Sequence, residues 1–321
     1  MFTIPIQVTG DAWNNRTQVK ELLDQTHPGQ SVILDLFSEG PSLRKLGVVD
    51  LVDQYNLNVY VTRWCNGVEN VSYYKNNCNS QSHFFPMAQH YWTDSIENKP
   101  TTEYRFGLFL GRDTYSRNRI LYDAAHQWPD YFLLSKMKSI HGPHKHSPNE
   151  LENLTEWFGD IPGIQHWVNT CSIGSIDNHV IQDQYKLPEV SAGNMAKSLF
   201  HHYTRFNVEL ICESYTLGDA FFPTEKTARP IVGNKPFIVY GPKNYLNNLR
   251  EQEGFQTFNS IWNEDYDQLE GVPRWQAISQ LIDSLILQGK EQWADTIQQA
   301  SVITQHNRKI LEKIINDRKK L

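Results

Sequence analysis

Residues 221–241, FFPTEKTARPIVGNKPFIVYG, place a Thr-Glu-Lys triplet ahead of the apolar run 236–241. Thr224 is a competent helix N-cap, because its hydroxyl can accept from a backbone N–H that a helix start leaves without a partner. A helix opening there offers an anion N–H groups and a partial positive charge, and Lys226 in the first turn adds a full charge. Glu225 repels phosphate but suits hydroxyl donors such as a ribose 2′,3′-diol. Pro230 keeps the helix short, and Gly233-Asn234 ends it. Glu213 closes the preceding apolar run, at the end of a strand where ligands of open α/β sheets gather. Ordinary capping with a dipole-matched Glu also explains the triplet taken alone.

A second group of charges lies in GLFLGRDTYSRNRILYDAA, residues 107–125. Arg112 follows a strand, and Arg117 and Arg119 lead into a helix. Guanidinium forks match phosphate oxygens in pairs, which makes Arg112 and Arg117 candidates for a diphosphate; Arg119 is expected to face solvent. His141, His144 and His146 share a Gly/Pro-containing loop without a Cys or carboxylate at metal-ligand spacing, so no metal site is expected. Asp265-Tyr266-Asp267 has the form of an Asp-x-Asp metal site but follows no nucleotide-binding strand, and reads as a solvated acidic loop. P-loop, HExxH and GxSxG signatures are absent.

The elements that must position these residues alternate. Val19, Leu22 and Leu23 recur at helical spacing, 31–37 reads as a buried strand, 48–52 as a helix face and 58–62 as the next strand. The pattern restarts at 106–111 after a polar stretch containing Pro100, with further strands at 131–134, 208–212 and 236–240. From 273 onward the periodicity is helical. Strands separated by single helices imply βαβ units and parallel sheets. The expected organisation is two α/β lobes, an N-terminal lobe over 1–100 and a ligand-binding lobe over 101–272, with C-terminal helices over 273–321 that pack back across the lobes.

Composition narrows the classes. The net charge of −6 supplies no global field for nucleic acid. The N-terminal residues MFTIP lack the basic start and apolar stretch of a secretory signal, and no apolar run approaches the roughly 18 residues that cross a bilayer. The four cysteines (Cys65, Cys78, Cys171 and Cys212) include no CxxC pair and fit a reducing compartment, with Cys212 packed as a free thiol. A cytoplasmic protein is expected, in the host cytoplasm if the chain is viral.

The segment ESYTLGDAFFPTEKTARPIVGNKPFIVYG, continued by NYLNNLREQEGFQTFNSIW, resembles the donor-site segment of GT-B-type nucleotide-sugar glycosyltransferases. It is most similar to the α-1,3-fucosyltransferase-like group, over roughly 105–270 and most clearly over 208–258. Glu213-Ser214-Tyr215 stands where that group usually has Glu-Asn, which leaves the sugar open. The resemblance implies two Rossmann-like lobes and a nucleotide diphosphate sugar as donor, without a metal or other cofactor. Glu225 would hold the ribose, Lys226 the diphosphate, and Glu213 would shape the sugar or ribose pocket. Inverting transfer to an acceptor hydroxyl needs a base across the cleft. Glu39, at the tip of the strand over 31–37, is the first candidate and Asp11, after Val8-Thr9-Gly10, the second. The acceptor is a glycan, or a hydroxymethylated base in viral DNA with Arg117, Arg119, Lys136, Lys138 and Lys145 as the cationic surface. A non-catalytic nucleotide-binding module is the remaining alternative.

Overall fold

A computed structural model describes residues 2–9, 12–36, 43, 46–61, 64–65, 71–73, 103–111, 114–136, 161–173, 202–213, 216, 220–221 and 223–318. The first part of the chain runs β1 (Phe2–Ile6), a small hairpin of β2 (Val8–Thr9) and β3 (Ala12–Trp13), α1 (Arg16–Leu23), β4 (Ser31–Leu36), α2 (Val48–Val52), β5 (Asn58–Val61), β6 (Trp64–Cys65) and β7 (Val71–Tyr73). Strands β1, β4, β5 and β7 form a parallel sheet in that order. Ile4, Ile6, Val32 and Leu34 from its strands meet Val19 and Leu23 of α1 and Val48, Leu51 and Val52 of α2 in one core. Buried Asn15 fixes the turn from hairpin to helix: its Oδ1 accepts from Gln7 N (2.9 Å) and Trp13 Nε1 (3.0 Å), and its Nδ2 donates to Pro5 O (2.8 Å).

The second part runs β8 (Tyr104–Leu110), α3 (Tyr115–Gln127), β9 (Phe132–Lys136), α4 (Ile161–Thr170), β10 (Phe206–Cys212), β11 (Ala220–Phe221), α5 (Glu225–Val232), β12 (Phe237–Tyr240) and α6 (Tyr245–Glu253). A 3-10 turn at Asp265–Gln268 leads into α7 (Gly271–Ile286) and the long α8 (Lys290–Arg318). Strands β12, β10, β8 and β9 form a second parallel sheet in that order. All seven residues of β10 are buried, as expected of a parallel strand covered on both faces, which is why 208–212 is apolar apart from Glu209. The chain is therefore α/β, built on two parallel sheets with a core each.

Helices α7 and α8 dock on the second sheet through polar as well as apolar contacts. Trp275 and Ile278 of α7 and Ile297 and Leu311 of α8 belong to the second core. Trp275 Nε1 donates to Asp123 of α3 (2.7 Å), and Trp293 Nε1 to Asn207 of β10 (3.0 Å). Arg105 of β8 donates to the Leu285 and Gln288 carbonyls at the end of α7.

Ionisable groups are folded into this core. Beneath α5, Glu209 is fully buried and accepts from Arg229 Nε (2.9 Å), Arg229 Nη2 and the Tyr203 hydroxyl. Lys235 donates to the Phe206 carbonyl at 2.7 Å, and burial pulls its ammonium down to about 8. Gly233 ends α5 so close to Tyr203 that a Cβ there would overlap the ring. The solvated acidic loop expected at 265–267 is corrected here. Asp265 is exposed, but Asp267 is buried, accepts from Leu246 N (2.9 Å) and Asn247 N (3.0 Å) at the start of α6, and pairs with Arg274 (3.1 Å). A side chain aimed at a helix start 20 and 21 residues back cannot be recognised from its neighbours in sequence.

Glu264, beside it, accepts from Phe258 N (2.8 Å), Thr257 Oγ1 (2.6 Å) and Arg250 Nη1 (3.3 Å), and burial pushes its carboxyl up to about 7. A carboxyl raised by folding contributes stability that is fully present below its unfolded value, 4.5, and lost as pH rises through about 7. Unfolding curves at pH 5 and pH 8 should therefore give Glu264→Gln a relative gain at pH 8 on the order of 3 kcal/mol. Parallel pH profiles of wild type and variant would contradict this.

Candidate functional site

Strand order locates the crevice. From β8 the chain steps to β9 on one side, then returns past β8 to β10 and continues outward to β12. Connections leave in opposite directions where the order reverses, and the carboxyl ends of the flanking strands part there to leave a ligand-sized gap. In the second sheet that place lies between β8 and β10. The described strands of the first sheet follow one another in one direction and have no such reversal.

The residues at this place form one connected network. β8 leads through Gly111 to Thr114, the N-cap of α3, whose side chain accepts from Arg117 N at 3.3 Å. Arg117 then reaches from the first turn of α3 to the end of β10, where Nη2 donates to the carbonyls of Cys212 (3.3 Å) and Glu213 (3.0 Å). Glu213 is buried immediately past β10. Its Oε1 accepts from Thr224 N (3.2 Å), Thr227 Oγ1 (2.6 Å) and the Tyr245 hydroxyl (2.8 Å), and its Oε2 from Thr224 Oγ1 (2.6 Å). Four donors on two oxygens use the capacity of a carboxylate. Burial and the adjoining Glu213 charge hold the Tyr245 hydroxyl far above its usual range, so it stays a donor.

Because Thr224 Oγ1 donates to Glu213, its lone pairs face the other way and cap α5. They accept from Lys226 N and Lys226 Nζ, each at 3.2 Å. The Lys226 ammonium is thereby folded back over the helix start, half-buried, so its charge and the helix dipole act at the same spot. Cys212 beneath is no nucleophile: burial pushes its thiol up to about 12, against the opposing pull of Arg117 and Lys226. This arrangement can hold a polyanion at the carboxyl end of β10 and counter charge that grows on it.

Of the residues singled out in the sequence, Arg117, Glu213, Thr224 and Lys226 meet in this network. Glu225 opens α5, with its side chain outside the described residues; Glu39, Asp11 and Arg112 lie outside them altogether. Two roles differ from expectation. Arg117 is only 3% exposed and its guanidinium braces a strand end, and Glu213 lies behind the Thr-Glu-Lys turn as the anchor of its cap. The cationic surface considered for DNA also needs correction. Arg117 and Lys136 are both buried, Lys136 donating to the Val168 carbonyl at 2.6 Å, and Arg119 Nε is paired with Asp123 (2.9 Å). His141, His144, His146, Lys138 and Lys145 lie outside the described residues.

Sequence reading passed over two participants, Thr227 and Tyr245, and one buried acid in the other sheet. Thr227 sits one helical turn after Thr224 and could have been found by that spacing. Asp35, buried near the carboxyl end of β4, is an acid inside the apolar strand SVILDL, a signal in itself. Tyr245 has no local signal, since it reaches Glu213 from 32 residues away.

Among the described residues no group of three or more His, Cys, Asp or Glu is placed to hold a metal ion, and no helix is long and apolar enough to cross a membrane. Compared with known proteins, the chain matches no family model, no curated sequence and no solved structure.

Proposed function

We propose that this protein is a glycosyltransferase that binds a nucleotide diphosphate sugar at the crevice between β8 and β10 and passes the sugar to an acceptor hydroxyl. The observation that carries this reading is the Glu213–Thr224–Lys226 network: a buried carboxylate fixes a helix cap, and the cap turns a lysine onto the helix start at the reversal of strand order. In this reading Lys226 and the start of α5 stabilise the departing diphosphate, as fixed dipoles and cations do most effectively where charge develops. Glu225 binds the ribose, and Arg117 and Glu213 position the turn. The two sheets correspond to the two lobes of a GT-B-like enzyme. A carboxylate of the first part of the chain, Glu39 or Asp11, activates the acceptor and the anomeric carbon inverts. Protein cations, rather than a metal ion, neutralise the leaving group.

Thermal unfolding with a panel of nucleoside diphosphates and their sugar conjugates tests the proposal. A ligand at 100 times its dissociation constant stabilises the folded state by about 2.7 kcal/mol, enough to move the midpoint by several degrees. Lys226→Ala should weaken that ligand roughly tenfold to a hundredfold, the range of a charge-assisted hydrogen bond of about 1.5–3 kcal/mol. Absence of a shift with every diphosphate would sink the reading. A Lys226-dependent shift without sugar transfer or hydrolysis would leave a nucleotide-binding module.

A further inference from the structure

A cavity of about 350 Å³ lies between α3 and α4, lined by Arg119, Tyr122, His126, Gly163, Ile164 and Trp167. That volume is at the small end of ligand sites, which run from roughly 300 to 1,000 Å³, and suits a single ring. It is separate from the crevice. Tyr122 stands eight residues into the rise from Thr114, about 12 Å along α3 at 1.5 Å per residue.

The walls have a definite shape. Tyr122 and His126 stack with centroids 4.0 Å apart, and Trp167 meets Tyr122 nearly at right angles, 83° at 5.2 Å. His126 also meets Trp167, 58° at 4.9 Å, so the three rings form one cluster in which the indole is half-buried and His126 exposed. His126 Nδ1 lies 2.8 Å from the Tyr122 carbonyl. A carbonyl only accepts, so Nδ1 carries the proton and Nε2 of the neutral ring is an acceptor. On the same face of α3, Arg119 is held through Nε by both oxygens of Asp123, 2.9 Å each, which fixes a cation at the rim.

We infer that this cleft is a carbohydrate site that seats one hexopyranose ring of an acceptor glycan, outside the donor crevice. A planar base is served best by two parallel walls, whereas these stand at a right angle and one face of Tyr122 is taken by His126. A pyranose needs only one aromatic wall with polar groups at its rim. Its C–H face lies on Trp167 while rim hydroxyls donate to His126 Nε2 and accept from Arg119. The choice of a saccharide rests on the sugar-transfer reading; the shape of the cleft does not.

Saturation-transfer NMR on the full chain, without nucleotide, tests this with the methyl glycosides of glucose, galactose, mannose and N-acetylglucosamine and with adenosine as the planar probe. At least one glycoside should bind to wild type and lose roughly tenfold or more in affinity in both Trp167→Ala and His126→Ala. The second variant changes an exposed side chain and keeps the test valid if the first misfolds. No glycoside binding, binding unchanged in His126→Ala, or binding of adenosine alone would each overturn the inference. Nucleotide-induced thermal shifts in the same variants separate the two claims. Shifts retained with saccharide binding absent refute only the cleft, and saccharide binding without any nucleotide shift refutes only the donor site.

Discussion

Arg274→Ala should lower the stability of this protein by about 3–5 kcal/mol, the range seen when one partner of a buried charge pair is removed. Arg274 is fully buried at the start of α7. Nη1 donates to the carbonyls of Pro242 (3.0 Å), Asp267 (3.3 Å) and Leu269 (3.4 Å), and Nη2 to the Val239 carbonyl (3.1 Å) and Asp267 Oδ1 (3.1 Å). One side chain thus joins the end of β12, the turn before α6, the 3-10 turn and α7. Its removal takes the cation from the buried Asp267 carboxylate, which keeps only the Leu246 and Asn247 amides, and strips the guanidinium from four carbonyls. Arg274→Lys should recover only part of the loss, since an ammonium lacks the planar fork that serves several acceptors at once. Urea unfolding gives the magnitude, and hydrogen exchange gives the place. The Leu246 and Asn247 amides, which Asp267 caps, should lose protection before those of β10. A loss under about 1 kcal/mol would mean that water replaces the guanidinium, contrary to this account.

Glu213→Ala is expected to destabilise the protein by a similar amount, about 3–5 kcal/mol, and to abolish the nucleotide-induced shift that the proposed function requires. The donors it strands are a backbone N–H and three hydroxyls. Hydroxyls rotate, so Glu213→Gln, whose amide still accepts on one side, should cost only about 1–2 kcal/mol. The two variants separate two roles. If Glu213 positions the cap, nucleotide affinity should fall in step with stability, most in Ala and moderately in Gln. If instead Glu213 touches the ligand, Gln would lose binding while remaining nearly as stable as wild type. Paired denaturation and nucleotide titration of both variants decide between them, and the geometry predicts the first pattern.

How much of this could be read in the sequence follows from what each residue interacts with. β10 was legible because a strand covered on both faces is mostly apolar, with Val208, Leu210, Ile211 and Cys212 around the single Glu209, and α5 because Thr224, Pro230 and Gly233 are local signals of start, length and end. The α/β alternation followed from the same punctuation. Charged residues turned inward were not legible. Arg117 finds its carbonyls 95 and 96 residues away, and Lys136 finds Val168 O 32 residues away, so no local pattern distinguishes them from surface cations. Asp267 was misread for the same reason. The order β12-β10-β8-β9 was equally hidden, because periodicity identifies strands but says nothing about which side of β8 the chain returns to.

The short ladder between β6 and β11 gives Phe221 a double attachment. Its backbone pairs with Trp64, and its buried ring meets Tyr245 edge-on at 5.3 Å. Tyr245 in turn holds Glu213 through its hydroxyl. Among the described residues a route of contacts therefore runs from Trp64 through Phe221 and Tyr245 to the carboxylate under the lysine. The ladder pairs only two residues of each strand, so it yields before either sheet does. Unpairing it breaks no hydrogen bond of either parallel sheet.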